Sequence, residues 1–119
     1  MVRRKTIAAL FAALLSATVL PGVTEAEKGP QGCSRYVCIY TAYTGTGYQA
    51  WAEFSTNVTR GHHHIWGPGL NVNTPDGPWR GGQDSRRYSA RGSGKVCAEG
   101  WSYSGGAWHS IGLPCVSIE

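Results

Sequence analysis

The sequence predicts an all-β chain: a single small antiparallel β-sandwich or barrel of about seven short strands, stapled by two disulfides. Three observations carry that prediction. Tyr48, Ala50, Ala52 and Phe54 alternate with Gln49, Trp51 and Glu53, the period-two pattern of a half-buried strand. Glycine and proline then interrupt the chain at short intervals, at Gly67-Pro68-Gly69, Pro75-Asp76-Gly77-Pro78, Gly81-Gly82 and Gly105-Gly106. Past residue 26, no segment keeps apolar residues at helical spacing over a useful length.

The first 26 residues have the architecture of an export signal. Arg3, Arg4 and Lys5 form a positive start, Ile7 to Leu20 an apolar run too short to span a bilayer comfortably, and Pro21-Gly22 a break. Thr24 and Ala26 place small residues three and one before a cut, so cleavage is expected after Ala26. The residues after the arginine pair match a twin-arginine signal poorly, which points to general secretion. No second apolar run of membrane length follows and no cysteine stands at the cut to take a lipid, so a soluble extracellular product is expected, without membrane insertion. Residues 27–32 read as a flexible leader and 33–119 as the disulfide-stapled domain.

Removing the signal leaves eight cations against six carboxylates, a net charge of +2 rather than the +4 of the whole chain. Nucleic-acid binding loses most of its support with that change, although Arg80, Arg86, Arg87 and Arg91 remain a local basic patch. A chain this short buries a small share of its surface and needs staples. All four cysteines, Cys33, Cys38, Cys97 and Cys115, follow the signal, where disulfides persist. Five residues of extended strand span roughly 16 Å, so Cys33 and Cys38 can join only if Ser34 to Val37 turns back. That turn, with Cys97 paired to Cys115 across neighbouring strands, is the favoured arrangement; Cys33 with Cys115 and Cys38 with Cys97 is the rival.

In chain order, Cys38 to Tyr43 is rich in strand formers, Gly45 and Gly47 make a turn, and the alternating strand follows from Tyr48. Further strands are expected near His62–Trp66, Leu70–Asn73, Arg86–Ala90, Lys95–Trp101, Ala107–Ile111 and Cys115–Ile118. Asn57-Val58-Thr59 is a glycosylation sequon, expected to be unmodified in a bacterial setting. Cys33-x4-Cys38-Ile39-Tyr40, with the turn at Gly45 and Gly47, resembles the opening of small secreted streptomycete inhibitors, among them the metalloproteinase inhibitor with a crystallin-like β fold. That likeness covers about eighteen residues. His64-Ile65-Trp66-Gly67-Pro68-Gly69, Asn73-Thr74-Pro75-Asp76, Val96-Cys97-Ala98-Glu99 and Gly112-Leu113-Pro114-Cys115 are similar to stretches of small secreted actinobacterial proteins. The resemblance implies an extracellular compartment and a β fold, and carries no functional residue with it.

After the signal there are twelve aromatic residues against eleven Val, Ile and Leu, so several rings must fill the core. Rings left outside would be platforms for sugar rings. Trp51 is the first candidate, because it alternates against the apolar side of its strand and stands beside Glu53 and Gln49. Trp79, in its Pro-Asp-Gly-Pro loop, and Trp66 follow, with Arg86 and Arg87 as polar partners. On an extended strand His62 and His64 point the same way and can chelate Zn²⁺, Cu²⁺ or Ni²⁺ if a third ligand, His109 or Glu53, comes near. No Gly-x-Ser-x-Gly or His-Glu-x-x-His motif occurs. A ribonuclease-like centre would have to draw on Glu53, His64 or His109, and Arg86 or Arg87. The expectation is a secreted, non-enzymatic protein without a cofactor that recognises a polysaccharide or cell-surface glycan through exposed aromatics. The alternative is a protein-directed effector, a protease inhibitor or small antibacterial toxin, presenting a rigid loop such as Gly67–Gly69 or Thr74–Trp79.

Overall fold

The computed structural model describes residues 27–119; the export signal expected at 1–26 lies outside the described residues. Ten strands form: β1 (Glu27–Ser34), β2 (Val37–Tyr43), β3 (Tyr48–Phe54), β4 (Val58–Gly67), β5 (Leu70–Asn73), β6 (Gly77–Trp79), β7 (Tyr88–Ala90), β8 (Gly94–Ser104), β9 (Ala107–Gly112) and β10 (Cys115–Ile118). They build two antiparallel sheets, one in the order β1-β2-β3-β7 and one in the order β10-β8-β4-β5, with β6 added to β4 and β9 to β8. The all-β, two-disulfide architecture is as expected, with ten strands rather than about seven.

Two of the strands correct the sequence reading. Residues 27–32, expected as a flexible leader, belong to β1, which pairs with β2 from Glu27↔Tyr43 to Ser34↔Val37. Gly29-Pro30 suggested loose chain, but both residues sit in a β-bulge between Lys28 and Gln31, where a proline without an N–H is tolerated. Thr41 Oγ1 donates to the Pro30 carbonyl at 2.6 Å and ties the bulge down. The second is β6, formed inside the expected Pro-Asp-Gly-Pro loop by pairing with β4.

The core lies between the sheets. Val37, Ile39, Tyr48, Ala50, Ala52 and Phe54 come from the four-stranded sheet, and Val58, Ile65, Trp79, Val96, Ala98 and Ile118 from the other. The sheets approach closely at Gly100, where a Cβ would stand 2.4 Å from Val37 Cγ2 and 2.7 Å from Phe54 Cε1. Polar links also cross between the sheets: Tyr48 Oη donates to the Pro68 carbonyl at 2.7 Å, and the Tyr36 amide to Ile111 at 3.0 Å. Both favoured disulfides are present. Cys33–Cys38 closes the β1–β2 hairpin, whose turn is made by Arg35, held at φ 53°, and Tyr36; Cys97–Cys115 joins β8 to β10. Arg35 is anchored as its guanidinium donates to the Ser110 carbonyl at 3.3 Å.

His63 is fully buried, stacked on Phe54 with ring centroids 4.0 Å apart and edge-on to Trp79 at 5.2 Å. Thr74 clamps its backbone, accepting from the His63 amide through Oγ1 and donating its own N–H to the His63 carbonyl, each at 2.8 Å. Neither ring nitrogen has a hydrogen-bond partner among the described residues. Burial, helped by the nearby His62, pushes its pKa down from 6.5 to about 4. The unfolded chain therefore binds a proton between about pH 6.5 and 4 that the fold refuses, so this stabilisation is complete above pH 6.5 and lost as pH falls toward 4.

Urea unfolding at several pH values should show stability falling by roughly 3 kcal/mol from this residue alone over that window. In His63→Leu that part of the slope should vanish; an unchanged slope would sink the assignment. Gly100→Ala should cost about 1–3 kcal/mol, because the added methyl group has no room between Val37 and Phe54.

Candidate functional site

The alternation that turns His63 and Ile65 inward turns His62, His64 and Trp66 outward, onto the exposed face of the six-stranded sheet. The β4–β8 register sets Trp101 opposite His62, Glu99 opposite His64 and Cys97 opposite Trp66. Gly105 and Gly106, at φ 58° and 81°, make a two-residue hairpin turn, which fixes the β8–β9 register so that Tyr103 faces Trp108. Three tryptophans and one tyrosine from three strands therefore share one face.

Its side chains brace one another. The Arg60 guanidinium lies 4.2 Å from the Tyr103 ring centroid and 5.4 Å from that of Trp108. Tyr103 and Trp108 meet edge to face at 5.1 Å, and Trp108 meets His62 in the same way at 4.8 Å. His62 Nδ1 donates to the Asp76 carboxylate at 2.7 Å, tying the β5–β6 connection to the face. Toward the other end His64 lies 4.6 Å from Trp66 and donates through Nε2 to the Asn71 side-chain oxygen at 2.6 Å. Trp108 is 36% exposed, and the other three rings are half-buried. The face thus offers aromatic surface, with rings set edge to face, bordered by Asp76, Asn71, Asn73 and Ser110.

The residues expected to form a site divide between the two sheets. Trp66 lies on the face just described. Trp51 and Glu53 lie on the opposite, outer face of the four-stranded sheet, as their alternation predicted, with Tyr40 stacked beside Trp51 at 6.0 Å. Arg87 covers the Trp51 ring at 3.7 Å, and Arg86 lies 5.5 Å from the Tyr88 ring. Burial, the hydrogen bond to Glu53 and the charges of Glu53 and Asp84 raise the Tyr40 pKa, keeping its hydroxyl a donor. Trp79 corrects the expectation of an exposed loop platform. Pairing of β6 with β4 turns the indole into the core, 9% exposed, where Nε1 donates to the Gly61 carbonyl at 3.0 Å and the ring meets Phe54 and His63 edge-on. Only its edge reaches a cavity of about 510 Å³ beside Asn57, Thr59 and Gln83.

His62 and His64 do share a face, but the third metal ligand does not arrive. His109 is turned to the Ser104 carbonyl at 3.2 Å, Glu53 belongs to the other sheet, and no group of three His, Cys, Asp or Glu residues converges among the described residues. The ribonuclease-like set is split in the same way, with Glu53 and the arginines on one sheet's side and the histidines on the other's. Sequence reasoning missed Arg60, Trp101, Tyr103 and Trp108 as site residues. The Trp101-x-Tyr103 alternation running into Gly105-Gly106 was the available signal, because a two-residue turn dictates which residues face each other.

Truncating the two kinds of tryptophan should separate them. Trp79→Ala should cost about 3–5 kcal/mol in urea unfolding, as for a core ring, whereas Trp108→Ala should stay within about 1 kcal/mol of the parent. No family model, no curated protein and no solved structure matches this chain, so the functional reading rests on the two faces themselves.

Proposed function

We propose that the chain is a non-catalytic extracellular recognition module that binds a polysaccharide or cell-surface glycan along the outer face of its six-stranded sheet. The observation that carries this reading is the braced row of Arg60, Tyr103, Trp108 and His62, continued by Trp101 and Trp66 on the same face. Sugar rings present C–H groups that stack on aromatic faces, and their hydroxyls need nearby amides and carboxylates. Both requirements are met here. Because the rings are already held by neighbours, ordering them on binding costs little entropy. From Arg60 to Trp66 the face runs roughly 20 Å along β4, which suits an extended chain better than a single sugar. The two disulfides and the export signal expected at 1–26 agree with a place outside the cell.

A second reading, a protein-directed effector, has one observation in its favour. The Thr74–Trp79 segment projects Pro75 and Pro78 into solvent while Thr74, the Asp76–His62 pair and the buried Trp79 hold it in place. A loop fixed at three points suits inhibition of a protein target.

The full chain, produced in an oxidising compartment, should be depleted from solution by one insoluble polymer among chitin, cellulose and purified cell wall. Depletion should fall at least tenfold in the Trp101→Ala/Trp108→Ala double variant with its thermal midpoint little changed. Retention by none of the polymers, or retention that ignores both substitutions, would overturn the glycan reading and favour the protein-directed one.

A further inference from the structure

The outer face of the four-stranded sheet carries a second cavity, of about 280 Å³, bordered by Lys28, Gln31, Tyr40, Ala42, Trp51 and Arg87. From it we infer a binding site for an acidic sugar residue, a pyranose bearing a carboxylate. This inference does not depend on the reading of the opposite face.

The bulge in β1 creates the site. Lys28 and Gln31 are three residues apart, so on a regular strand their side chains would point to opposite faces. The extra residue between them restores the parity: Lys28 pairs with Ala42 and Gln31 with Tyr40, both on the outer side of β2. The cross-strand pair Tyr40↔Trp51 supplies the floor, its rings inclined at only 20° to each other. The wall comes from Arg87, which enters from the segment between Asp84 and β7 and holds its guanidinium carbon over Trp51, 3.7 Å from the ring centroid.

The charges of this cavity have one sign. Lys28 and Arg87 border it and no carboxylate does. Among the described residues neither cation has a carboxylate within 4.0 Å. The acids on this face, Glu53 and its bridge partner Asp84, lie toward the other end of the strands, with Glu53 paired to Cys38. An occupant therefore meets positive charge from two sides, Lys28 on β1 and Arg87 beyond β3, with aromatic surface between them.

That combination selects its ligand. Stacking on Trp51 leaves the guanidinium edge as a planar fork of N–H donors, a geometry matched by a carboxylate. The C–H face of a pyranose fits the Tyr40 ring, beside the Trp51 ring that Arg87 covers, and the Gln31 amide is placed for a ring hydroxyl. A neutral sugar would leave two unpaired cations unanswered. Inorganic phosphate would satisfy the cations and leave the rings unused.

The test uses the full chain, produced in an oxidising compartment, and two-dimensional NMR with the Trp51 indole N–H as reporter. Its probes are a galacturonate trimer, the neutral galactose trimer and inorganic phosphate. The galacturonate trimer should shift that resonance and bind at least tenfold more tightly than either control, more weakly as salt is raised. Arg87→Ala and, separately, Lys28→Ala should each weaken it several-fold, while Trp108→Ala on the opposite face leaves it unchanged. Equal binding of the neutral trimer, equal binding of phosphate, or indifference to both cation substitutions would overturn the site. None of those outcomes touches the polymer-depletion result, which reads the other sheet.

Discussion

Phe54 can lie against the six-stranded sheet only because Gly100, the residue beneath it, has no side chain. The strand partner of Gly100 is His63, and Phe54 stacks on that ring as well, so one aromatic side chain covers a cross-strand pair of the opposite sheet. Much follows from this contact. With His63 and Gly100 inward, period two leaves no choice for their neighbours: His62, His64, Glu99 and Trp101 must face solvent. A one-residue slip of β8 would bring Glu99 or Trp101 into space that admits only a hydrogen atom. The close packing that stabilises the sandwich is thus also what positions its outer face.

The small core is helped by staples that take no core volume. Cys38 and Cys97 fall on the outward parity of β2 and β8, beside Tyr40 and Glu99 rather than Ile39 and Ala98. Their bridges lock strands to neighbours while the interior is left to Val, Ile, Ala and three large rings. Closing the loop from Cys97 to Cys115 removes roughly 3 kcal/mol of unfolded-state entropy in the chain-entropy description. The shorter Cys33–Cys38 loop contributes less by that route, but it fixes a hairpin whose tip reaches across to β9 through Arg35 and Tyr36. Exposed edges are dealt with locally. Along the outer edge of β3, the chain from Gly82 to Ala90 supplies hydrogen bonds to Phe54 and Ala52 and then pairs as β7.

How much of this was legible depended on whether the deciding contact was local. Tyr48 to Phe54 declares its two faces in seven consecutive residues, and Trp51 stands where that pattern put it. The cysteine pairing was also accessible, because the choice reduced to whether four residues could turn. Trp79 was misread because Pro-Asp-Gly-Pro describes a loop correctly up to Asp76, whereas the fate of the indole is set by pairing with Val58 and Gly61, some twenty residues away. Residues 27–32 were misread for the opposite reason: Gly29 and Pro30 look like loose chain, yet here they form the bulge that brings Lys28 and Gln31 to one side. The row from Arg60 to Trp108 lay in plain view as residue types, but joining them needs the β4–β8 and β8–β9 registers together, and only the second is written locally, in two glycines.

Past residue 26 the aromatic residues slightly outnumber Val, Ile and Leu, which invites the bland explanation that rings replace Leu and Ile inside. The structure limits that explanation. The interior takes Tyr48, Phe54, Trp79 and the ring of His63; Trp51, Trp66, Trp101 and Trp108 are left on the outer faces. Burying a large apolar side chain stabilises a fold by about 1.5–3 kcal/mol, so each of these rings forgoes part of that gain. They are not scattered either. Trp51 is paired with Tyr40 and roofed by Arg87, while Trp108 is wedged among Arg60, Tyr103 and His62. Folding alone asks only that a surface residue be soluble and strand-forming, which Thr, Lys or Glu on the same strands would satisfy or nearly so. Rings held in contact and half in water are costly for stability and well suited to the C–H face of a sugar ring, and that asymmetry is the physical ground for proposing recognition on the sheet faces rather than in the loops.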